Sequence, residues 1–229
     1  MDNKLEEKYV PEVSGKLRNF MLRVPTVISK CSGIRIFGKR LKSVVFSTDV
    51  SIIRNTNADA VIAVYPFTPQ PIITRAIMLA ADVPVFCGVG GGLTGGNRVV
   101  NLASEAEEQG AIGVVVNAPT ANEIITKVAS NIDIPIIVTV VNDVDDYGAR
   151  LDAGATIFNV SAAAKTAKVV ADIRKQFPKA PIMATGGPTD ESILETIEAG
   201  ANMITWTPPT NGEVFADIMK AYREGNPHP

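Results

Sequence analysis

The sequence predicts an α/β chain of a single domain, folded as a (β/α)8 TIM barrel that an N-terminal helix and β-hairpin cap. From Ser43 onward, eight short apolar runs alternate with amphipathic segments. The runs are β-branched and nearly continuous in apolar character, which is typical of strands buried on both faces of a parallel sheet. The segments between them place apolar residues three and four positions apart, which predicts helices. Eight such units make a closed barrel.

The residues at the start of the eight predicted strands show a second regularity. Gly-Ala pairs lead into the fourth, sixth and eighth runs, whereas a proline stands at the start of the third, fifth and seventh. Glycine suits the position that ends a helix, and odd and even strands supply alternate layers inside a barrel. The alternation therefore supports the count of eight. The predicted strands span residues 43–49, 60–66, 83–89, 112–118, 135–141, 156–162, 181–187 and 203–209.

Residues 1–42 form an extension that precedes the predicted barrel of residues 43–229. Residues 13–24, VSGKLRNFMLRV, fit an amphipathic helix. Residues 34–46, IRIFGKRLKSVVF, fit a hairpin that turns at Gly38-Lys39 and runs into the first strand. We expect the extension to cover the N-terminal face of the barrel. Alternatively, it forms a contact between copies of the chain in a homo-oligomer.

The composition argues against nucleic acid and membrane as partners. The 229 residues carry a formal net charge of -2, so the chain has no excess of basic residues for a nucleic-acid surface. Five of the first ten residues are charged, and no run approaches the roughly 20 apolar residues that span a bilayer. We therefore expect a cytoplasmic protein.

Cysteine and histidine are too scarce for most metal sites and catalytic triads. Cys31 and Cys87 lie far apart and fit no metal-ligand spacing. The single histidine is His228, next to the last residue, so histidine-based triads and most zinc sites have no residue to use. We expect no metal and no cofactor. Without a histidine partner, Cys87 is expected to act as a small buried hydrophobic residue.

The active site of such a barrel is built from the loops that follow the strands, at the C-terminal face. Those loops are rich in amides and hydroxyls in this chain and carry few charges. Such side chains orient substrate hydroxyls or carbonyls, or else brace their own loops. The candidates of this kind are Asn117, Asn142, Asn159 and Ser161.

The most glycine-rich stretch, FCGVGGGLTGGNR, follows the third predicted strand and leads into a helix. Backbone amides that glycine frees at a helix N-terminus bind phosphate or carboxylate well, and an arginine adds positive charge. Gly90, Gly91, Gly92 and Arg98 are therefore candidates for contacting an anionic substrate. The alternative is a flexible lid or close backbone packing, since the stretch lacks the lysine of a P-loop.

A second glycine signal, ATGGPTDES, follows the seventh strand, where such barrels commonly hold phosphate. TGG at 185–187, with EAGANMI leading to the last strand, resembles the phosphate-binding and aldolase-type barrels, a group that includes thiazole synthase and the keto-deoxy-sugar-phosphate aldolases. The hairpin is similar to the start of thiazole synthase. The chain also resembles uncharacterised bacterial barrel proteins labelled hydrolases. The resemblance implies phosphate binding at Gly186 and Gly187.

The chain departs from that group in two places. The loop after the last strand reads TWTPPT, and its prolines donate no amide hydrogen. Asp190 and Glu191 lie in the first turn of the seventh helix, where they suit the helix dipole but repel a dianion.

Two residues are candidates for catalysis. Lys165 follows the sixth strand and would form a Schiff base if its amine lay in an apolar mouth; otherwise it is a solvated lysine. Asp49 closes the first strand and would act as a general acid or base; otherwise it caps the next helix. These residues predict a lyase or isomerase that acts on a small phosphorylated or carboxylated carbonyl compound. The alternatives are a non-catalytic metabolite-binding or partner-binding barrel, and a hydrolase.

Overall fold

A computed structural model describes residues 9–17 and 19–228, and it contains the predicted barrel. Eight parallel strands pair in the order of the chain, and the last strand pairs with the first to close the cylinder. The prediction of a (β/α)8 barrel in one domain is thus confirmed. The barrel strands are β3 (Ser43–Phe46), β4 (Ala60–Ala63), β5 (Val85–Gly90), β6 (Gly113–Val116), β7 (Ile136–Val140), β8 (Ile157–Val160), β9 (Ile182–Thr185) and β10 (Met203–Trp206).

A helix follows each barrel strand. Gly110, Gly154 and Gly200 end three of these helices with φ angles of 91°, 113° and 115°, a left-handed backbone that glycine adopts without strain. The helices are α1 (Val50–Arg54), α2 (Pro71–Ala80), α3 (Asn97–Glu108), α4 (Asn122–Ala129), α5 (Tyr147–Asp152), α6 (Thr166–Gln176), α7 (Asp190–Glu198) and α8 (Asn211–Arg223). None of these described helices combines the length and apolar character needed to span a bilayer.

The predicted hairpin closes the N-terminal face of the barrel. β1 (Ile34–Ile36) pairs antiparallel with β2 (Lys39–Leu41), and its apolar side chains pack with the residues that fill the barrel interior. The turn lies one residue earlier than predicted, because Lys39 already pairs with Ile36. Phe37 and Gly38 form the turn with φ angles of 44° and 82°, as a two-residue hairpin requires.

The helix predicted over residues 13–24 is wrong for the part of that segment that the structure describes. Residues 19–25 form no helix, and Leu22 forms a bridge with Thr56 beside α1. The Val24 amide donates to the side chain of Asn57 at 2.8 Å, and Pro25 disfavours helix in the residue before it. These tertiary hydrogen bonds outweigh the amphipathic pattern. A short 3-10 helix, Thr26–Lys30, follows. Arg18 and residues 1–8, which belong to the predicted extension, lie outside the described residues.

The barrel interior is filled by apolar side chains up to the level of the mouth. Large members such as Phe86, Met183 and Met203 are fully buried there. The next inward-facing side chains along each strand therefore form the floor of the mouth.

Candidate active site

The inward-facing side chains at the C-terminal ends of the strands divide the mouth into an apolar half and a polar half. A central cavity of about 270 Å³ lies between them. On the β3 and β4 side its lining is Phe46, Ile62 and Val64. On the β7 to β10 side the lining is made of hydroxyl and amide groups. These polar residues are Thr139, Asn159, Ser161, Thr185, Thr205 and Thr207. Asn117, at the end of β6, also lines the cavity.

The polar half is set by the period of two along a strand. Thr139, Asn159, Thr185 and Thr205 each stand two positions after a residue of the barrel interior, and residues two apart point to the same face of a strand. Thr139 was missed in the sequence, because it lies inside the apolar run PIIVTVV. Thr139 stands at the same position in its strand as Asn159 does in the next one, and this correspondence could have identified it.

Two buried polar groups in this floor lack a hydrogen-bond partner. The side-chain amide of Asn159 donates to the hydroxyl of Thr139 at 3.3 Å. The Oδ1 atom of Asn159 and the hydroxyl of Thr205 have no partner among the described residues, although the two residues are only 8% and 5% exposed. A buried polar group without a partner costs about 1–3 kcal/mol. The floor therefore holds hydrogen-bonding capacity that the protein itself does not use.

A second cavity, of about 570 Å³, adjoins the apolar half and contains Asp49. Asp49 caps α1: its Oδ1 accepts from the Ser51 amide at 2.8 Å, the Ser51 hydroxyl at 2.7 Å and the Ile52 amide at 3.3 Å. The hydrogen bond from the Ser51 side chain, with smaller contributions from these amides and from the Asn211 side chain, holds the pKa of Asp49 below its ordinary value against the opposing effect of burial. Asp49 is therefore a carboxylate at neutral pH.

The glycine stretch after β5 forms a tight turn beside a third cavity of about 450 Å³. Gly91 and Thr94 exchange backbone hydrogen bonds at 3.0 and 3.2 Å. A Cβ atom on Gly90 would lie 2.5 Å from Val99, and one on Gly91 would lie 2.3 Å from Asn117. Close packing therefore requires glycine at both positions. Gly92, which also lines this cavity, has no atom near its absent Cβ.

A fourth cavity, of about 410 Å³, lies at the rim between the loops that follow β9 and β10. Thr185, Thr205 and Thr207 line both this cavity and the central one. The other side chains around it include Pro25, Asp190 and Trp206. Gly187 lines this cavity, whereas Gly186 is buried where a Cβ would lie 2.7 Å from Ile193.

Several residues predicted for the site lie elsewhere. Lys165 is exposed at the end of a short 3-10 helix, and Arg98 is exposed in the first turn of α3; neither lines any of the four cavities. The Asn142 side chain accepts from the Val144 amide at 3.1 Å and so braces its own loop. Asn117, Asn159, Ser161 and Asp49 do line the mouth.

The charged side chains that line the four cavities are acidic. Among the described residues, no lysine or arginine lines any of the four cavities, and the charged side chains that do are Asp49 and Asp190. Burial raises the pKa of the Cys87 thiol to about 12, and this side chain packs outward among apolar residues. No group of three or more His, Cys, Asp or Glu in the described chain is placed to hold a metal ion.

Arg150 fixes the loop that carries Asn117, a role that was not predicted. From α5 its guanidinium donates to the Ala118 carbonyl at 2.7 Å, to the Thr120 carbonyl, and to Asn122 Oδ1 at 2.9 Å. These bonds hold the backbone directly after Asn117. The position of Asn117 therefore depends on an arginine from the neighbouring strand-helix unit.

Solved structures of similar fold are enzymes by name. Phosphonopyruvate hydrolase, in a complex with oxalate and Mg²⁺, aligns with a TM-score of 0.58 and 13% identity over 82% of this chain and 84% of that one. A 2,3-dimethylmalate lyase of the PEP mutase/isocitrate lyase superfamily aligns with a TM-score of 0.57 and 13% identity, over 80% and 79%. A dihydrodipicolinate synthase from Bacillus anthracis aligns with a TM-score of 0.56 and 14% identity, over 80% of this chain and 76% of that one.

At these sequence identities the structural similarity establishes the barrel fold, and the chemistry must be inferred from the residues of the site. No protein-family model and no curated protein matches the chain.

Proposed function

We propose that the mouth of the barrel is the active site of an enzyme that carries out a lyase or isomerase reaction on a small carbonyl compound bearing a carboxylate. The observation that carries this proposal is the pair of buried, unpartnered polar groups of Asn159 and Thr205 in the floor. A ligand that supplies their partners recovers the cost of burying them. The names of the similar structures, which include a hydrolase and a lyase of small carboxylic acids, support this class of substrate.

The polar half of the mouth would hold the substrate oxygens. Hydroxyls of Thr139, Thr185 and Thr205 donate or accept as needed, and the Asn159 amide offers both functions. Because no described lysine or arginine lines the central cavity or the cavity at the glycine turn, a carboxylate there would be held by neutral donors. Any anion contact from the glycine turn at residues 90–92 would use backbone amides.

Asp49 is the residue we assign to proton transfer. It is the charged side chain of the cavity next to the apolar half of the mouth, and its ionised carboxylate would accept a proton from a substrate bound there. Lys165 lies outside the cavities, so the proposed reaction proceeds by proton transfer and not through an imine on that lysine. Borohydride reduction in the presence of a substrate should therefore leave the chain unmodified.

A non-catalytic metabolite-binding barrel is the second candidate. The observation that favours it is the role of Asp49 as a helix cap, because its Oδ1 atom already accepts three hydrogen bonds. In that case the mouth would bind a ligand through the same floor without converting it.

A thermal-shift screen against keto acids, hydroxy acids and sugar phosphates tests the proposal. A ligand at 100 times its dissociation constant should stabilise the protein by about 2.7 kcal/mol. Hits should be lost in Asn159→Leu and retained in Thr196→Val, which lies on α7 with its hydroxyl bonded to the Ser192 carbonyl at 2.9 Å. Conversion of a hit by the wild type and not by Asp49→Asn supports the enzyme, and binding without conversion supports the second candidate. Hits that Asn159→Leu leaves intact would place the site elsewhere.

A further inference from the structure

The rim cavity between the loops after β9 and β10 occupies the place where barrels of this fold commonly bind phosphate. In this chain several of the backbone amides that would hold a phosphate there are absent or already donate to the protein itself. Pro188, Pro208 and Pro209 have no amide hydrogen. The Gly186 amide donates to the Thr205 carbonyl at 3.4 Å.

Side chains at the start of α7 already use part of the hydrogen-bonding capacity of its first turn. The Ser192 amide donates to the hydroxyl of Thr189 at 3.2 Å, completing a capping box. The carboxylate of Glu191 accepts from its own backbone amide and from the Thr189 hydroxyl, and these hydrogen bonds hold its pKa below the ordinary value. The Ser192 amide is therefore already paired within the first turn of α7.

The charge of this rim is negative. Asp190 and Glu191 each carry a full negative charge, whereas the helix N-terminus contributes only about half a positive charge. The ion pairs among the described residues do not involve either carboxylate. A phosphate dianion would therefore be repelled from this cavity.

The same cavity has the features that bind a positively charged nitrogen. An ammonium group has three donors and no acceptor, and the cavity offers the Asp190 carboxylate and the hydroxyls of Thr185 and Thr207. Thr205 is 5% exposed, its hydroxyl has no partner among the residues that the structure describes, and it lines both this cavity and the central one. Trp206 also lines the cavity, and the face of an indole attracts cations.

We propose that the rim cavity binds a positively charged amino group of the substrate, at the place where related barrels hold a phosphate. This inference rests on the proposed function and narrows its substrate class to small carbonyl compounds that carry an amine. The carboxylate and carbonyl oxygens face the hydroxyls and the Asn159 amide of the floor, and the ammonium group faces Asp190 and Trp206.

Trp206 is the single tryptophan of the chain, so its fluorescence reports on this cavity directly. The full chain is titrated with ethylammonium chloride, with sodium phosphate, and with sodium chloride at matched ionic strength. Ethylammonium should change the emission with a saturable curve, whereas phosphate should match sodium chloride. Asp190→Asn should weaken the ethylammonium response by about threefold. Asp217→Asn, which removes an exposed carboxylate on α8, should leave it unchanged.

Three results would overturn the inference: a saturable response to phosphate, no response to ethylammonium beyond that to sodium chloride, or equal curves for Asp190→Asn and Asp217→Asn. The titration reads the rim cavity alone. If it fails while Asn159→Leu still abolishes ligand binding in the thermal-shift screen, the proposed function stands and only the amine specificity falls. If the screen fails while the Trp206 response holds, the rim cavity binds an ammonium group, but the proposed function and the assignment of that group to its substrate both fall.

Discussion

Asn159 donates its side-chain amide to the hydroxyl of Thr139 on the adjacent strand at 3.3 Å, and this bond leaves its Oδ1 atom without a partner in the floor of the mouth. The amide nitrogen of Asn159 is therefore paired across the strands, whereas its oxygen is available to a ligand. The Thr205 hydroxyl is likewise unpartnered across the barrel. Such groups lower the stability of the protein without a ligand, and their retention is understandable if a ligand completes them.

Thr205→Val should preserve or raise the free energy of unfolding while weakening ligand binding. The substitution removes a buried hydroxyl that makes no hydrogen bond within the described part of the chain, and an unsatisfied group of this kind costs about 1–3 kcal/mol. Urea unfolding measures the stability. Thr196→Val is the matched control, because its buried hydroxyl is bonded and its loss should cost about 1 kcal/mol. A larger loss for Thr205→Val than for Thr196→Val would show that the Thr205 hydroxyl is already paired in the protein.

Substitutions of Asp49 should separate its structural role from its chemical one. Asp49→Ala removes the cap of α1 and should cost about 1 kcal/mol of stability, whereas Asp49→Asn retains a good capping residue and should cost a few tenths. Both should abolish proton transfer on a substrate found in the screen. Chemical denaturation and turnover are measured on the same preparations. If Asp49→Asn retained full turnover, Asp49 would have only the structural role of capping α1.

The stability of the wild type should fall in acid partly through Asp49. Its pKa in the folded protein lies below the ordinary value of 3.8, chiefly because the Ser51 hydroxyl donates to it. A carboxyl whose pKa is lowered by folding stabilises the protein above its unfolded pKa, and this contribution is lost as the pH falls through the folded pKa. Urea midpoints at pH 7 and pH 3 should therefore differ less in Asp49→Asn than in the wild type. Asp217→Asn serves as the control, and equal pH dependence in all three would contradict the assignment.

Two neighbouring glycines should respond differently to alanine. Gly91 has a φ of 115°, and an added Cβ would lie 2.3 Å from the Cβ of Asn117, so Gly91→Ala should cost about 2–4 kcal/mol and displace Asn117. Gly92 has a φ of 60° and no atom within 4 Å of the added Cβ, so Gly92→Ala should cost about 1 kcal/mol. Thermal unfolding of the two variants and the wild type measures these losses of stability. Similar costs would mean that the turn shifts to relieve the contact.

The barrel was predictable because its signals are local. A parallel strand buried on both faces must be apolar along its whole length, and runs such as IGVVVNA and PIIVTVV meet that demand wherever they pair. The glycines at 110, 154 and 200 mark helix ends because only a left-handed backbone closes those turns. The helix predicted over residues 13–24 failed where the partner was distant, since Leu22 and Val24 bond to the segment after α1.

The sequence by itself determined the residue types at the mouth, hydroxyls and amides with few charges, because the C-terminal ends of the strands can be read off once the strands are known. Only the tertiary structure decided which of them converge. It placed Asn117, Asn159 and Ser161 around one cavity and Asp49 in the next, and left Lys165 and Arg98 outside. The direction of a side chain in a loop depends on packing against neighbouring units, as Arg150 shows for Asn117, and this packing is invisible along the chain.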